Sequence, residues 1–287
     1  MIVLSNNDLK VEIHEKGAEL QSICATKTGI EYLWQGDDRF WAKRSPLLFP
    51  IVGQLQDNTY EYHNKSYTLP RHGFARERVF EVEHLNEKEA TFLLLSDATS
   101  RAVYPFEFEL RLHYQLDGNS LRVIYHVKNK GIGTMYFSIG GHPAFKVPIT
   151  KGLAYDDYYL EFGHIENANR YSLQNGLIDK PIPFLNYAKH VQLKHELFYG
   201  DALVFKHLQS EQVTLKCDKN TASIHFNFQE FPYLGIWAAK DADFVCIEPW
   251  HGIADSTIHN KNLIEKEGII SLEADHRWQA AWQVVIN

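Results

Sequence analysis

The strongest constraint on the fold is an alternation of apolar and polar side chains with a period of two. Apolar residues occupy every even position from Phe106 to Leu116, and polar residues lie between them. Asp117-Gly118-Asn119 follows, and apolar residues then take every odd position from Leu121 to Val127. A strand with one packed and one solvated face has this period, and Asp-Gly favours a tight turn. The pattern predicts a long antiparallel hairpin.

Similar strand patterns recur along the chain, whereas helical periodicity is weak. We predict further strands near residues 11–13, 91–95, 155–162, 222–228 and 278–286. Only residues 37–43 indicate a short helical turn. Many strands with frequent turns are typical of stacked antiparallel sheets or a barrel. No linker divides the sequence, so we expect an all-β fold in one domain over residues 1–287.

The composition excludes several classes of protein. Lys and Arg total 29 against 36 Asp and Glu, and this net charge of −7 argues against a nucleic-acid partner. The first residues lack the pattern of a signal peptide, and no run of about 18 apolar residues indicates a membrane span. Cys24, Cys217 and Cys246 are widely spaced, so we expect no disulfide framework and a cytoplasmic location. Whether the chain forms a homodimer is left open.

Four segments break the alternation and concentrate chemically active side chains. They cover residues 44–54, 70–76, 138–145 and 245–252. In the third, His142 lies between Gly-Gly and a proline, and in the fourth Glu248 ends an apolar run before Pro-Trp. Functional groups are often carried by such loops. The combination predicts a proton-transfer site.

A structural interpretation competes with each of these signals. A histidine in a Gly-Pro turn is more often a structural hydrogen-bonding group than a catalyst, and a glutamate after an apolar strand usually faces solvent. Six other histidines are expected on solvated faces: His63, His84, His113, His126, His190 and His207. Motifs of serine hydrolases, zinc enzymes, dinucleotide binders and P-loop proteins are absent.

At the four segments the chain resembles the aldose 1-epimerase (galactose mutarotase) family, most closely its LacX-like bacterial branch. The resemblance runs over essentially the whole chain through Gly17-Ala-Glu-Leu, Trp41 with the residues 44–53, Arg71-His-Gly-Phe-Ala-Arg, Gly141-His-Pro-Ala-Phe, Phe198-Tyr-Gly-Asp and Ile247-Glu-Pro-Trp. It implies a single large antiparallel β-supersandwich with a sugar site in a groove on one sheet. It also implies cofactor-free interconversion of the α and β anomers of an aldose.

The resemblance also implies roles for individual residues. His72 is similar to the family histidine near the ring oxygen, and His142 to the general acid. Glu248 corresponds to the general base, and Asp201 to the carboxylate that binds sugar hydroxyls.

One position departs from the family pattern. Galactose mutarotases carry an arginine after the glycine of the early loop, where this chain has Gln54. Arg71, Arg76 or Arg44 is expected to supply the missing charge. Because guanidinium groups bind phosphate well, a phosphorylated aldohexose stays open beside a free one such as galactose.

The chemistry of mutarotation requires one acid and one base. The C1 hydroxyl must lose a proton while the ring oxygen gains one, so we expect the two groups on opposite sides of the anomeric centre. Burial of Glu248 beside Trp250 is expected to raise the carboxyl pKa toward neutrality. We expect Trp41, Trp237 or Trp250 to stack on the sugar, and no metal or cofactor to be required.

The sequence is also compatible with two other functions. A glycoside hydrolase needs two carboxylates that flank the scissile bond, and Asp243 with Glu248 would be the candidate pair. A non-catalytic carbohydrate-binding or sensor domain is also compatible with the fold, since one fold supports many functions.

Overall fold

Strands dominate the computed structural model, which describes residues 1–287. In chain order the strands are β1 (Ile2–Ser5), β2 (Leu9–His14), β3 (Glu19–Ala25), β4 (Leu47–Leu48), β5 (Thr59–Tyr62), β6 (Lys65–Thr68), β7 (Glu81–Leu85), β8 (Glu89–Leu95), β9 (Phe108–Asp117), β10 (Ser120–Asn129), β11 (Met135–Phe137), β12 (Ile139–Gly141), β13 (Ala144–Lys146), β14 (Tyr158–Gln174), β15 (Leu177–Gln192), β16 (Leu203–Lys206), β17 (Gln212–Cys217), β18 (Ile224–Asn227), β19 (Tyr233–Trp237), β20 (Phe244–His251), β21 (Ile270–Leu272) and β22 (Arg277–Ile286). The one α-helix is α1 (Ala98–Val103). Short 3-10 turns cover Gln56–Asn58, Ala75–Glu77, Tyr155–Asp157, His195–Phe198 and Leu263–Glu265.

Fifteen strands form one large antiparallel sheet, which confirms the predicted all-β class. Its main path runs β4-β12-β20-β19-β16-β14-β17-β18-β22-β10-β9-β8-β7, with β13 beside β20 and β15 beside β14. A separate three-stranded sheet, β1-β2-β3, meets the large sheet near β9, where the Tyr114 hydroxyl donates to the Ala18 carbonyl at 2.6 Å. Since β20 has neighbours on both edges, its residues lie deep inside the protein.

The hairpin predicted from the alternation is β9 and β10. Leu116 lies opposite Leu121, and the even-numbered residues of β9 are buried while the odd-numbered ones are partly exposed. Gly118 in the connecting turn has φ of 53°, in the left-handed region that favours glycine. The alternation therefore fixes both the pairing and the buried face of this part of the sheet.

The other predicted strands are present, with shifted ends in one case. Strands β2, β8, β18 and β22 fall on the predicted segments. Residues 155–157 instead form a 3-10 turn, and the strand that follows, β14, continues to Gln174.

Two local expectations are wrong. Residues 37–43 are not helical, because the Asp37 N–H donates to the Trp41 carbonyl at 3.2 Å and the Trp41 N–H donates back at 2.7 Å, which closes a tight turn that pairs the two residues. The Asp37 carboxylate also accepts the Arg39 backbone N–H at 3.0 Å. Residues 245–252 are not an irregular loop, since β20 extends to His251 and places Glu248 inside the strand. A strand paired on both edges and buried on both faces loses the alternation that marks a half-buried strand.

Two apolar clusters fill the interior. The larger holds 70 buried residues and extends under most of the large sheet. The smaller holds nine, and it lies beneath the cavity described below: Leu48, Val52, Ile178, Ala202, Val204, Tyr233, Trp250, Ile253 and Ala254. No helix in the structure has the length and apolar character needed to cross a bilayer.

Candidate active site

A cavity of about 320 Å³ lies beside β20 and gathers residues from all four of the singled-out segments. Its lining residues are Trp41, Gly53, Arg71, His72, Arg76, His142, Leu173, Gly176, Ile178, Asp201, Ala202, Val204, Trp237, Glu248, Trp250 and Ala254. The volume lies within the range typical of small-molecule sites, and apolar and polar residues share the lining as they do in such sites. The four segments, scattered over 200 residues of sequence, thus form one site.

Glu248 is held by the pairing of β20 with both of its neighbours. On β19, Gly235 lies directly opposite Glu248, and on the other edge Ala144 of β13 pairs with Cys246. Glu248 is only 1% exposed. Glu248 and Trp250 are two residues apart and both line the cavity, because alternate side chains of a strand point to the same face.

His142 lies between β12 and β13, opposite Glu248. Gly140 pairs with Trp250 and Ala144 pairs with Cys246, so the intervening residues of this strand segment face the middle of β20. The His142 Nε2 atom is 3.2 Å from the Glu248 Oε2 atom. The imidazole and the carboxyl group are therefore direct neighbours on one wall, rather than separated across an anomeric centre as expected.

Burial shifts the protonation of both groups in opposite directions. It raises the pKa of the Glu248 carboxyl well above its usual value, and nearby Arg71 opposes this shift. It also lowers the pKa of the His142 imidazole, and the positive charges of Arg71 and Arg76 add to that effect. Both shifts follow from the cost of placing a charge in a poorly solvated interior. Burial therefore favours the neutral form of each side chain, and Oε2 of Glu248 has no hydrogen-bond partner although His142 Nε2 lies close to it.

Aromatic rings fix the orientation of His142. The Trp41 indole stacks on the imidazole with centroids 5.0 Å apart, and the Trp237 indole meets it edge-on at 5.6 Å. The His142 Nδ1 atom is buried without a hydrogen-bond partner. Packing, rather than a hydrogen bond to Nδ1, therefore holds the ring.

His72 occupies a strained turn after β6 and contacts the same wall. Its φ of 68° lies in the left-handed region, which is uncommon for a residue with a side chain. Gly53 fixes it twice: its N–H donates to His72 Nδ1 at 3.1 Å, and its carbonyl accepts the His72 N–H at 2.9 Å. Because Nδ1 accepts and burial lowers the pKa of His72, the neutral ring carries its proton on Nε2. The side chain is a neutral donor.

Charged groups lie on another part of the cavity wall. Asp201 precedes β16, has φ of 99°, and lies 3.9 Å from the guanidinium of Arg71. Arg76 also lines the cavity and donates to the Arg71 carbonyl at 2.9 Å, while its Nε atom is buried without a partner. Two guanidinium groups and one carboxylate therefore face the same cavity.

Other candidate residues are not brought into the cavity. The Gln54 amide hydrogen-bonds to Asn58 instead. The Arg44 guanidinium donates to Gln21 and to the Gln35 carbonyl, so it cannot replace the charge missing at Gln54.

Sequence reasoning missed the cavity wall formed by the hairpin of β14 and β15. Leu173, Gly176 and Ile178 come from the end of this hairpin. Asn175 and Gly176 have φ of 53° and 80°, as a two-residue turn requires. The Asn-Gly sequence is a turn signal, but nothing in it indicates that the turn lies over a distant cavity.

The six histidines assigned to solvated faces lie outside the cavity. Four are exposed, while His113 and His126 are half-buried on the solvated face of the large sheet. Burial lowers the pKa of both half-buried imidazoles.

Comparison with known proteins identifies the family. The family model for aldose 1-epimerase matches residues 1–266. The chromosomal protein LacX of Lactococcus lactis subsp. lactis is 36% identical over 275 residues, which cover 92% of this chain and 91% of LacX. The plasmid-encoded LacX of the same organism is equally similar, at 36% over 275 residues.

Solved structures extend the comparison to the fold. A galactose mutarotase related enzyme from Lactobacillus acidophilus has a TM-score of 0.96 and 35% identity, and the match covers 99% of this chain and 96% of that one. A galactose mutarotase-like protein from Lactobacillus casei ATCC 334 has a TM-score of 0.92 and 31% identity, with both chains covered completely. The fold is therefore galactose mutarotase-like, and this chain belongs to the aldose 1-epimerase family.

Proposed function

We propose that this protein interconverts the α and β anomers of an aldohexose by acid–base opening and closure of the sugar ring. One observation carries the proposal: His142 Nε2 and Glu248 Oε2 lie 3.2 Å apart on the wall of a sugar-sized cavity. A buried acid–base pair with opposed pKa shifts is typical of a catalytic site. Family membership supports the reaction type.

In the opening step, Glu248 accepts the proton of the C1 hydroxyl and His142 donates a proton to the ring oxygen. The bond from C1 to the ring oxygen breaks, and C1 becomes an aldehyde. Both reacting oxygens are bonded to C1, so they lie side by side in the sugar. An acid and a base 3.2 Å apart on one wall can therefore serve both of them.

Closure returns the protons in the reverse direction. After rotation about the bond between C1 and C2, His142 removes the proton that it gave, and Glu248 protonates the carbonyl oxygen. Opening requires a proton on His142 and an ionised Glu248, it leaves the C1 hydroxyl proton on Glu248, and closure restores the first arrangement. An imidazole and a carboxyl group side by side suit this reversible cycle, and neither step requires a metal or cofactor.

Neighbouring residues are proposed to bind the sugar around this pair. The neutral His72 donates a hydrogen bond from Nε2 to a sugar oxygen, and the Asp201 carboxylate accepts hydrogen bonds from sugar hydroxyls. The indoles of Trp41, Trp237 and Trp250 contact the apolar C–H face of the ring. These contacts define a pyranose site.

Arg71 and Arg76 extend the candidate substrates to a phosphorylated aldohexose. Both guanidinium groups line the cavity, and guanidinium groups bind phosphate through paired hydrogen bonds. Asp201, 3.9 Å from Arg71, opposes an anion there by its negative charge. Free galactose and glucose and their 6-phosphates are therefore tested together.

The three free cysteines favour a cytoplasmic location.

Polarimetry tests the proposed reaction directly. Freshly dissolved α-D-glucose, α-D-galactose and their 6-phosphates should reach anomeric equilibrium faster with the protein than in buffer. His142→Asn should lose this acceleration. His126→Asn should retain it because His126 lies outside the cavity. No acceleration with any of these sugars would contradict the proposed activity.

The two rival functions are weaker at this site. Asp243 is exposed and does not line the cavity, so it does not flank a bound sugar together with Glu248. A non-catalytic sugar-binding domain has no use for a buried imidazole and carboxyl group side by side. Release of the aglycone from aryl glycosides at enzymatic rates would favour a hydrolase, and sugar binding without mutarotation would favour a sensor.

A further inference from the structure

A third chemically active side chain lies behind the acid–base pair. One ligand atom from each of Cys246, His142 and Glu248 lies within 4.8 Å of the others, and all three residues are buried. The mutarotation mechanism gives Cys246 no part. Its thiol is free and buried, and it does not line the cavity.

The sheet places these three ligands near the separations that a metal ion requires. Cys246 and Glu248 are two residues apart on β20, so their side chains share a face. His142 comes from the adjacent strand segment, and its Nε2 atom is 3.2 Å from the carboxylate. In a tetrahedral zinc site, bond lengths of about 2.0–2.3 Å separate the ligand atoms by about 3.3–3.6 Å. Shifts of about 1 Å or less would bring the three atoms to these separations.

The ligand types and their environment favour a thiophilic divalent ion. Thiolate and imidazole select zinc over magnesium or calcium, which prefer oxygen ligands. The Glu248 Oε2 atom is buried without a hydrogen-bond partner, so its lone pairs are available to an ion. The His142 Nδ1 atom also has no partner, so it can carry the ring proton and leave the Nε2 lone pair free. Zinc commonly binds three protein ligands and takes a water molecule as its fourth ligand where that position is open to a cavity.

We propose that Zn²⁺ binds His142, Cys246 and Glu248 and thereby inhibits the enzyme reversibly. The ion replaces the thiol proton, which passes to solvent, and no electron is transferred. Coordination occupies the nitrogen and oxygen lone pairs that mutarotation needs. The binding site stands on the geometry alone, whereas its inhibitory effect rests on the proposed function.

Metal titrations of three proteins test the site. Mutarotation is followed at buffered free Zn²⁺ concentrations for the wild type, Cys246→Ala and the matched control Cys217→Ala. Cys217 is also a free, buried cysteine, on β17 away from the cluster. Co²⁺ is titrated in parallel, because a bond between thiolate and cobalt gives a charge-transfer absorption band that does not depend on activity. Cys246→Ser replaces the alanine variant if that variant does not fold.

If the site exists, each wild-type chain should bind one Co²⁺ and show a thiolate charge-transfer band. Zn²⁺ should inhibit the wild type, and a chelator should reverse the inhibition. Cys246→Ala should retain activity, lose the band, and need at least about 10-fold more Zn²⁺ for half inhibition. Cys217→Ala should match the wild type. Equal zinc sensitivity of the wild type and Cys246→Ala, or cobalt binding without a thiolate band, would overturn the site. If the wild type mutarotates no sugar, the proposed function fails and the cobalt titration alone decides on the site.

Discussion

The buried ion pair between Lys266 and Asp255 should be a major determinant of stability. The Lys266 Nζ atom is 2.7 Å from the Asp255 Oδ1 atom, and both side chains are 1% exposed. Burial lowers the pKa of the Lys266 ammonium group, while the Asp255 carboxylate opposes that shift. Asp255 also connects two cavity segments, since its N–H donates to the Gln54 carbonyl and its own carbonyl accepts the Ile178 N–H.

Lys266→Met should remove about 3 kcal/mol from the free energy of unfolding. Loss of one partner from a buried pair typically costs about 3–5 kcal/mol, because the other charge stays buried without compensation. The lower end applies here, since the Gln56 N–H still donates to Asp255 Oδ2 at 2.9 Å and His259 Nε2 lies 3.9 Å from Oδ1. This loss is a large share of the roughly 5–15 kcal/mol by which proteins are stable.

Urea denaturation followed by tryptophan fluorescence measures this loss. The double variant Lys266→Met/Asp255→Asn leaves no buried charge, so it should recover at least about half of the loss. Lys27→Met, which breaks an exposed pair with Asp8, is the matched control and should cost no more than about 1 kcal/mol. A loss below about 1 kcal/mol in Lys266→Met, or a double variant less stable than the single one, would refute the reasoning.

Two further predictions concern packing and charge. Gly235→Ala should destabilise the protein by about 1–3 kcal/mol in the same assay, because a Cβ atom there would lie 2.4 Å from an indole carbon of the cavity wall. Gly133→Ala, with no atom within 4 Å of its new Cβ, is the control, and equal losses would contradict the packing account. The Lys16 and Lys43 ammonium groups hold the pKa of Glu77 at about 2, below its usual 4.5. The stability that Glu77 adds should therefore be complete above pH 4.5 and disappear as pH falls toward 2. Because Glu77 is half exposed, Glu77→Gln should cost only about 1 kcal/mol at pH 7, and a cost that persists at pH 2 would be inconsistent with this assignment.

The half-buried part of the sheet was predictable from the sequence. In β9 and β10 one face packs and the other is solvated, so the alternation from Phe106 to Val127 records both pairing and orientation. Alternation does not identify β20, because both of its faces are buried and the sequence around Glu248 is an interrupted apolar run. The helical prediction at residues 37–43 was wrong because no residue pattern there encodes the backbone pairing of Asp37 with Trp41 that closes the turn.

The candidate site was predictable in part. Glycine, proline, histidine and glutamate clusters indicated which segments carry chemistry, and the cavity contains His72, His142 and Glu248. The direct contact between His142 and Glu248 depends on the register of β12 and β13 against β20, which no local pattern encodes.

The same limit applies to Gln54 and to the hairpin wall of the cavity. Whether the Gln54 amide faces the cavity or Asn58 depends on local hydrogen bonding that residue type does not specify. The hairpin of β14 and β15 reaches the cavity only through long-range contacts, such as the bridge between Ile178 and Ser256.

The mutarotation rate of Glu248→Gln tests the central claim most directly. Glutamine keeps the size of the side chain but cannot accept and return a proton at the position where Glu248 Oε2 lies 3.2 Å from His142 Nε2. With the best sugar of the wild type, polarimetry should show a loss of at least about 100-fold, as removal of a general acid–base group predicts. A Glu248→Gln rate equal to that of the wild type would contradict the assignment of this pair as the catalytic acid and base.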